Sequence, residues 1–108
     1  MKKTIISVAG LAAVIALSFS VADAQAASCP IKIGGLAPLS APGAVGGGEA
    51  MRDAMLFAER DINAAGGVLG CDVKVVIADT EGLPEKAAAV MEKLITQDGV
   101  VGVGGAYH

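Results

Sequence analysis

Three short apolar runs alternate strictly with two amphipathic stretches, and no other feature of the sequence constrains its fold as tightly. The runs Ile31–Leu36, Val73–Asp79 and Val100–Gly104 have strand length and β-branched character. Between the first two, Met51, Ala54, Met55, Ala58 and Ile62 recur at the 3–4 spacing of one buried helical face. Asn63 to Gly67 supplies the stop, because Asn and Gly tolerate the left-handed backbone that ends helices. The second helical pattern runs from Pro84 to about Gln97. Pro84 suits a first helical position, Glu85 complements the helix dipole, and Ala87, Met91, Leu94 and Ile95 form the apolar face. Arg52, Glu59, Arg60 and Lys93 are expected on exposed helix faces. The order β-α-β-α-β predicts an α/β fold with a parallel sheet and right-handed crossovers. The nearly unbroken apolar strands fit a sheet covered on both faces.

If the second and third strands flank the first, the sheet order is 2-1-3. A crevice then opens between the carboxyl ends of strands one and three. One wall is Leu39 to Gly48, within the Pro/Gly/Ala/Ser loop expected from Ala37 to Gly48 that holds no ionisable side chain, and the other is Gly104 to His108. A neutral rim with peptide N–H groups near helix starts suits a carboxylate or zwitterion. Candidate ligand contacts are Ser40, Gly105, Tyr107 and His108. Each has a plainer reading beside it. Gly46 to Gly48 serve tight turns and close packing equally well, Ser40 can satisfy loop backbone, and Tyr107 can pack against a following helix.

Met1 to Ala24 reads as a secretory leader, residues 25–108 being the mature part. Lys2 and Lys3 precede an apolar stretch from Ile5 to Phe19, and Ala22-Asp23-Ala24 and Ala24-Gln25-Ala26 offer small residues for cleavage. The stretch is shorter than the ~20 residues of a membrane span. Cys29 could mark a lipoprotein site, but Ala26 stands where such sites carry Leu. A periplasmic location follows. Of eight basic and eleven acidic residues, Lys2, Lys3 and Asp23 leave with the leader, so six face ten. A mildly acidic chain without a basic cluster argues against nucleic acid and anionic membranes as partners. Phe57 and Tyr107 are its only mature aromatics, too few to stack bases.

Enzyme motifs are weak. Gly102-Val103-Gly104-Gly105-Ala106-Tyr107 begins like a dinucleotide fingerprint but has Tyr107 at the third glycine position. There is no phosphate-binding Gly-x-x-x-x-Gly-Lys loop, and one His without Cys-x-x-Cys makes no metal set. Neither cofactor nor metal is expected. Asp79, Glu81 and Glu85 could pass for a carboxylate cluster. More simply, Asp79 satisfies the turn after its strand and the two glutamates begin a solvated helix. An extracytoplasmic α/β enzyme of hydrolase type remains the alternative of a different class.

The two cysteines are expected to be joined. Cys29 stands two residues before Ile31 and Cys71 two before Val73, so equal offsets put both at one end of neighbouring parallel strands. Strands lie ~4.8 Å apart, within the Cα separation that a disulfide accepts. An exported protein meets an oxidising compartment. Two buried thiols are the other reading.

Ala37-Pro38-Leu39-Ser40, the helix from Glu49 to Asn63 and the run Asp61-Ile62-Asn63-Ala64-Ala65-Gly66-Gly67-Val68-Leu69-Gly70 resemble the first lobe of type I periplasmic binding proteins. The nearest branch serves branched-chain amino-acid (leucine/isoleucine/valine) and amide uptake by ABC transporters. Asp79-Thr80, Pro84 to Ala89 and Gly104 to His108 continue the similarity. The resemblance implies a two-lobed, hinge-closing binding protein without enzymatic activity, partnered by a membrane permease. It also implies that residues 25–108 are only the opening part of lobe one, whose ligand-gripping hydroxyls and amides follow the third strand. The aromatic of the family's first loop has no counterpart here; Ala44, Val45 and Gly46 occupy that region. A receptor's sensory domain on the same scaffold is a third reading, disfavoured because it would need a further membrane span.

Overall fold

A computed structural model of the chain describes residues 28–106. The leader assigned to residues 1–24, and Tyr107 and His108, lie outside the described residues. The elements are β1 (Ile31–Ala37), α1 (Val45–Ala64), β2 (Val73–Asp79), α2 (Pro84–Thr96) and β3 (Gly102–Gly105). The strands pair in parallel in the order β2-β1-β3, as the alternating pattern predicts.

β1 is central, and its carboxyl half, Gly34 to Ala37, is buried. Side chains alternate between faces along a strand, so its two glycines serve different helices. A Cβ at Gly35 would lie 2.6 Å from Met55 Sδ of α1, whereas one at Gly34 would lie 3.0 Å from Leu94 Cδ1 of α2. Each helix therefore comes close to the central strand because that strand lacks a side chain beneath it. Leu94, only 1 % exposed, is the largest fully buried side chain among the described residues. Its half-buried neighbours on α2 are Ala87, Val90 and Met91, while Ile95, expected on the same face, is exposed.

α1 differs from the sequence expectation in two ways. It begins at Val45, so Gly46, Gly47 and Gly48 are helical and the loop before it is only Pro38 to Ala44. Gly48 is buried against Pro38, and a Cβ there would collide with the Pro38 carbonyl oxygen. The glycine thus permits close helix packing rather than a turn.

The second difference is the direction in which α1 faces. Met51 and Met55 are half-buried as expected, but Ala54, Ala58 and Ile62 are exposed. Ala58 and Ile62 border an open apolar groove of about 190 Å³ that Ile33, Met55 and Gly104 also line. β3 presents only Gly102 and Gly104 towards this side, and neither has an atom within 4 Å of a would-be Cβ. Towards β2, Glu59 and Asn63 turn inward. Asn63 Oδ1 accepts the Val73 N–H at 2.7 Å and its Nδ2 donates to the Val73 carbonyl at 2.9 Å. Glu59 accepts the Val75 N–H at 2.5 Å and lies 3.6 Å from Lys74 Nζ. β2 is an edge strand, so these side chains satisfy backbone groups that would otherwise offer a template for pairing. Glu59 is therefore a half-buried edge partner, not a solvated charge. Arg52 is also only partly exposed, beside Asp53. Arg60 and Lys93 are exposed, Arg60 stacking over the Phe57 ring at 4.3 Å. Asn63 is itself helical, and the left-handed stop falls to Gly66 and Gly67.

The register pairs Ile31 with Val73, so Cys29 and Cys71 stand opposite each other. They form a disulfide with a Cα separation of 5.2 Å. It staples the amino ends of β1 and β2, away from the crevice.

Candidate functional site

The carboxyl ends of the strands carry the loops that a ligand would meet in an open parallel sheet. The loop after β1, Pro38 to Ala44, is fastened to the loop after β2 rather than left free. Asp79, the last residue of β2, accepts the Leu39 N–H at 2.8 Å and the Ser40 hydroxyl at 2.6 Å through different carboxylate oxygens. Asp79 Oδ1 also accepts the Glu81 N–H at 2.8 Å. Alongside, Thr80 N–H donates to the Ala37 carbonyl at 3.0 Å. Gly43 and Gly82 meet without side chains: a Cβ at Gly82 would lie 2.7 Å from Gly43 Cα, and one at Gly43 would lie 2.9 Å from the Glu81 carbonyl oxygen. Gly82 has a φ of +70°, a conformation that glycine adopts freely.

These contacts set the chemistry of the site. The Ser40 hydrogen bond, and then the backbone N–H donors of Glu81 and Leu39, hold the Asp79 carboxyl below its ordinary range against the opposing effect of burial. With its proton committed to Asp79, Ser40 Oγ is left as a hydrogen-bond acceptor. Thr80 is buried and its hydroxyl accepts the Gly82 N–H at 3.2 Å. Glu81 pairs with Lys86 at 3.3 Å and Glu85 is exposed. The three acids therefore do not converge on a shared site. No group of three or more potential metal ligands occurs among the described residues.

The first turn of α1, which follows the same loop, has no side-chain cap and no acidic residue. Its positive end is thus uncompensated by any side chain of its own first turn. At the end of β3, Gly105 pairs with Leu36, and a Cβ on Gly105 would collide with the Leu36 carbonyl oxygen. Gly105 is exposed, and both it and Ala106 have positive φ (107° and 115°). Of the four sequence candidates, Ser40 and Gly105 thus lie at the carboxyl ends, on the loop after β1 and at the end of β3. Tyr107 and His108 follow directly in sequence. Asp79 was legible as a strand-end residue, but its grip on Leu39 and Ser40 was not. The one available signal was an Asp closing a strand at the ligand end of the sheet.

The carboxyl edge of this open parallel α/β sheet thus carries a neutral loop after β1, tied to a loop after β2 that holds Asp79 and Glu81. The sequence profile of the family described as Periplasmic binding protein matches residues 30–108, and the chain belongs to that family. It is 39 % identical over 77 residues to an amino acid binding protein of Pseudomonas aeruginosa, covering 71 % of this chain and 20 % of that one. Among solved structures it is similar to the branched-chain amino acid transporter substrate binding protein LivJ from Streptococcus pneumoniae, in complex with isoleucine. That likeness has a TM-score of 0.66 and 36 % identity, and covers 70 % of this chain and 22 % of the other. A putative branched-chain amino acid ABC transporter protein from Silicibacter pomeroyi matches with a TM-score of 0.63 and 32 % identity over 68 % and 19 % of the two chains. The chain spans about a fifth of the length of these relatives.

Proposed function

We propose that this chain is the opening part of the first lobe of an extracytoplasmic substrate-binding component of an ABC uptake transporter. Its ligand is a small amino acid of the branched-chain type, or a related amide. Ligand enters an interlobe cleft, the hinge closes, and the closed form delivers its cargo to a membrane permease. The task is capture, not catalysis. Residues 1–24 direct export and are removed, leaving residues 25–108 as the start of the mature protein in the periplasm.

The observation that carries this reading is the likeness to a structure solved with isoleucine, extending over 70 % of the chain at 36 % identity. The chemistry agrees. The loop after β1 has no ionisable side chain, the adjoining helix start has no acidic side chain, and Ser40 Oγ is an acceptor. Such a rim holds a zwitterion through hydrogen bonds and dipoles: the helix start favours the carboxylate and Ser40 favours the ammonium group. Gly105, at the end of β3, and Tyr107 and His108, which follow it in sequence, are the further ligand contacts of this reading.

Isothermal titration of the full-length exported protein with L-leucine, L-isoleucine, L-valine and small aliphatic amides tests the reading. Saturable binding of at least one of them, without added metal or nucleotide, is the expected result. Silence with all of them, alongside clear binding of a nucleotide or a metal ion, would overturn it. Mass spectrometry of the same material should place its amino terminus at Gln25 or Ala27, and a lipid on Cys29 would contradict that.

A further inference from the structure

We infer that Asp79 is a positioning residue for the ligand-binding wall formed by Pro38 to Ala44, an inference that rests on the binding function proposed above. The loop needs an external anchor. It consists of Pro, Leu, Ser, Ala and Gly, has no charged side chain and makes few bonds of its own, of which Gly43 N–H to the Ser40 carbonyl at 3.0 Å is one. Its fixed points come from 39 or 40 residues further along the chain, where Asp79 receives the Leu39 N–H and the Ser40 hydroxyl. The same carboxylate takes the Glu81 N–H, so one side chain joins the loops after β1 and β2 into a single unit.

Position on the sheet makes this a functional contact rather than only a structural one. Asp79 closes β2, which is the outer strand, whereas the crevice opens on the other side of β1, towards β3. Asp79 thus holds the wall from behind. The bare contact of Gly43 with Gly82 brings the loops close enough for the carboxylate to span them. A wall fixed before ligand arrives loses less conformational freedom on binding, and affinity rises accordingly. Asp79 also leaves Ser40 Oγ an acceptor, because it takes the hydroxyl proton. An asparagine at position 79 could donate to Ser40 instead and reverse that polarity.

The test compares the full-length exported protein with its Asp79→Asn and Ser40→Ala variants by two readouts. Hydrogen exchange of the segment Ala37–Ala44 reports the positioning itself, without any ligand. Asp79→Asn is expected to speed exchange there by about tenfold or more, as loss of charge-assisted hydrogen bonds implies, while α2 is unchanged. Ser40→Ala, which removes one of the three donors, should give a smaller change in the same segment. Titration with L-leucine, L-isoleucine and L-valine reports the consequence, and both variants should bind more weakly, Asp79→Asn by about tenfold. Unchanged exchange in both variants refutes the positioning. Faster exchange with wild-type affinity in both refutes its link to the ligand wall. A wild-type protein that binds none of these three amino acids, nor any small aliphatic amide, refutes the proposed function, whatever exchange shows. If Asp79→Asn fails to fold, the Ser40→Ala exchange and affinity decide alone.

Discussion

Replacing Asn63 by alanine should destabilise the protein far more than its place on the flank of a surface helix suggests. The side chain closes two hydrogen bonds with Val73, at 2.7 and 2.9 Å, and Val73 is only 7 % exposed. Truncation leaves one N–H and one C=O at the edge of β2 without their partner, and each buried unsatisfied group costs about 1–3 kcal/mol. Water can reach a sheet edge, which places the pair near the lower end of that range, at about 2–4 kcal/mol together. Alanine returns up to about 0.7 kcal/mol through its better helix propensity. The net expected loss is about 1.5–3.5 kcal/mol. Urea unfolding of the full-length protein measures the total, and amide exchange at Val73 shows whether the effect is local. Asn63→Asp sharpens the test. At neutral pH it keeps an acceptor for the Val73 N–H but sets a carboxylate against the Val73 carbonyl. In acid the protonated oxygen can donate to that carbonyl, so part of the lost stability should return. A change of less than about 0.5 kcal/mol in Asn63→Ala, the scale of ordinary surface substitutions, with unaltered Val73 exchange, would refute the edge-closure argument.

Leu69, at φ 50° and followed by Gly70 at φ 76°, sits in a tight turn where Val68 and Cys71 exchange backbone hydrogen bonds and where Asn-Gly is the favoured pair. Since the leucine is 87 % exposed, Leu69→Asn should stabilise by about 1 kcal/mol, and an unchanged or lower melting temperature would contradict the strain argument. Asp79 has a lowered folded-state pKa, so its contribution is complete above the unfolded value of about 3.9 and is lost as pH falls through the folded value. Urea midpoints of wild type and Asp79→Asn should therefore differ at pH 7 and converge below about pH 4, with the neighbouring Glu81–Lys86 pair common to both proteins. Reduction of the Cys29–Cys71 bridge, whose cysteines lie 42 residues apart, should cost about 4 kcal/mol on the chain-entropy model. Unfolding with and without a reductant measures this loss, and thiol counting on denatured, unreduced protein should find no free thiol from this pair.

The sequence alone determined the parallel α/β architecture and the end at which loops gather, whereas the 2-1-3 order and the joining of Cys29 with Cys71 were expectations that the structure bears out. The architecture follows from periodicity and connection rules. Apolar runs of strand length separated by helical patterns leave few topologies, and two cysteines at equal offsets from paired strands must meet when the register is Ile31 to Val73. Only the tertiary structure decided what the polar residues do. Glu59 and Asn63 look like a solvated charge and a helix stop because local pattern cannot say which flank of a helix overhangs a sheet edge. α1 starts earlier than its glycines suggest because Gly48 fits against Pro38, a contact that composition does not encode. Ser40 and Asp79 are 39 residues apart, and nothing near either predicts the other. Their bond exists because parallel pairing brings the ends of β1 and β2 level, Ala37 beside Asp79, so that the two loops must cross within hydrogen-bond reach.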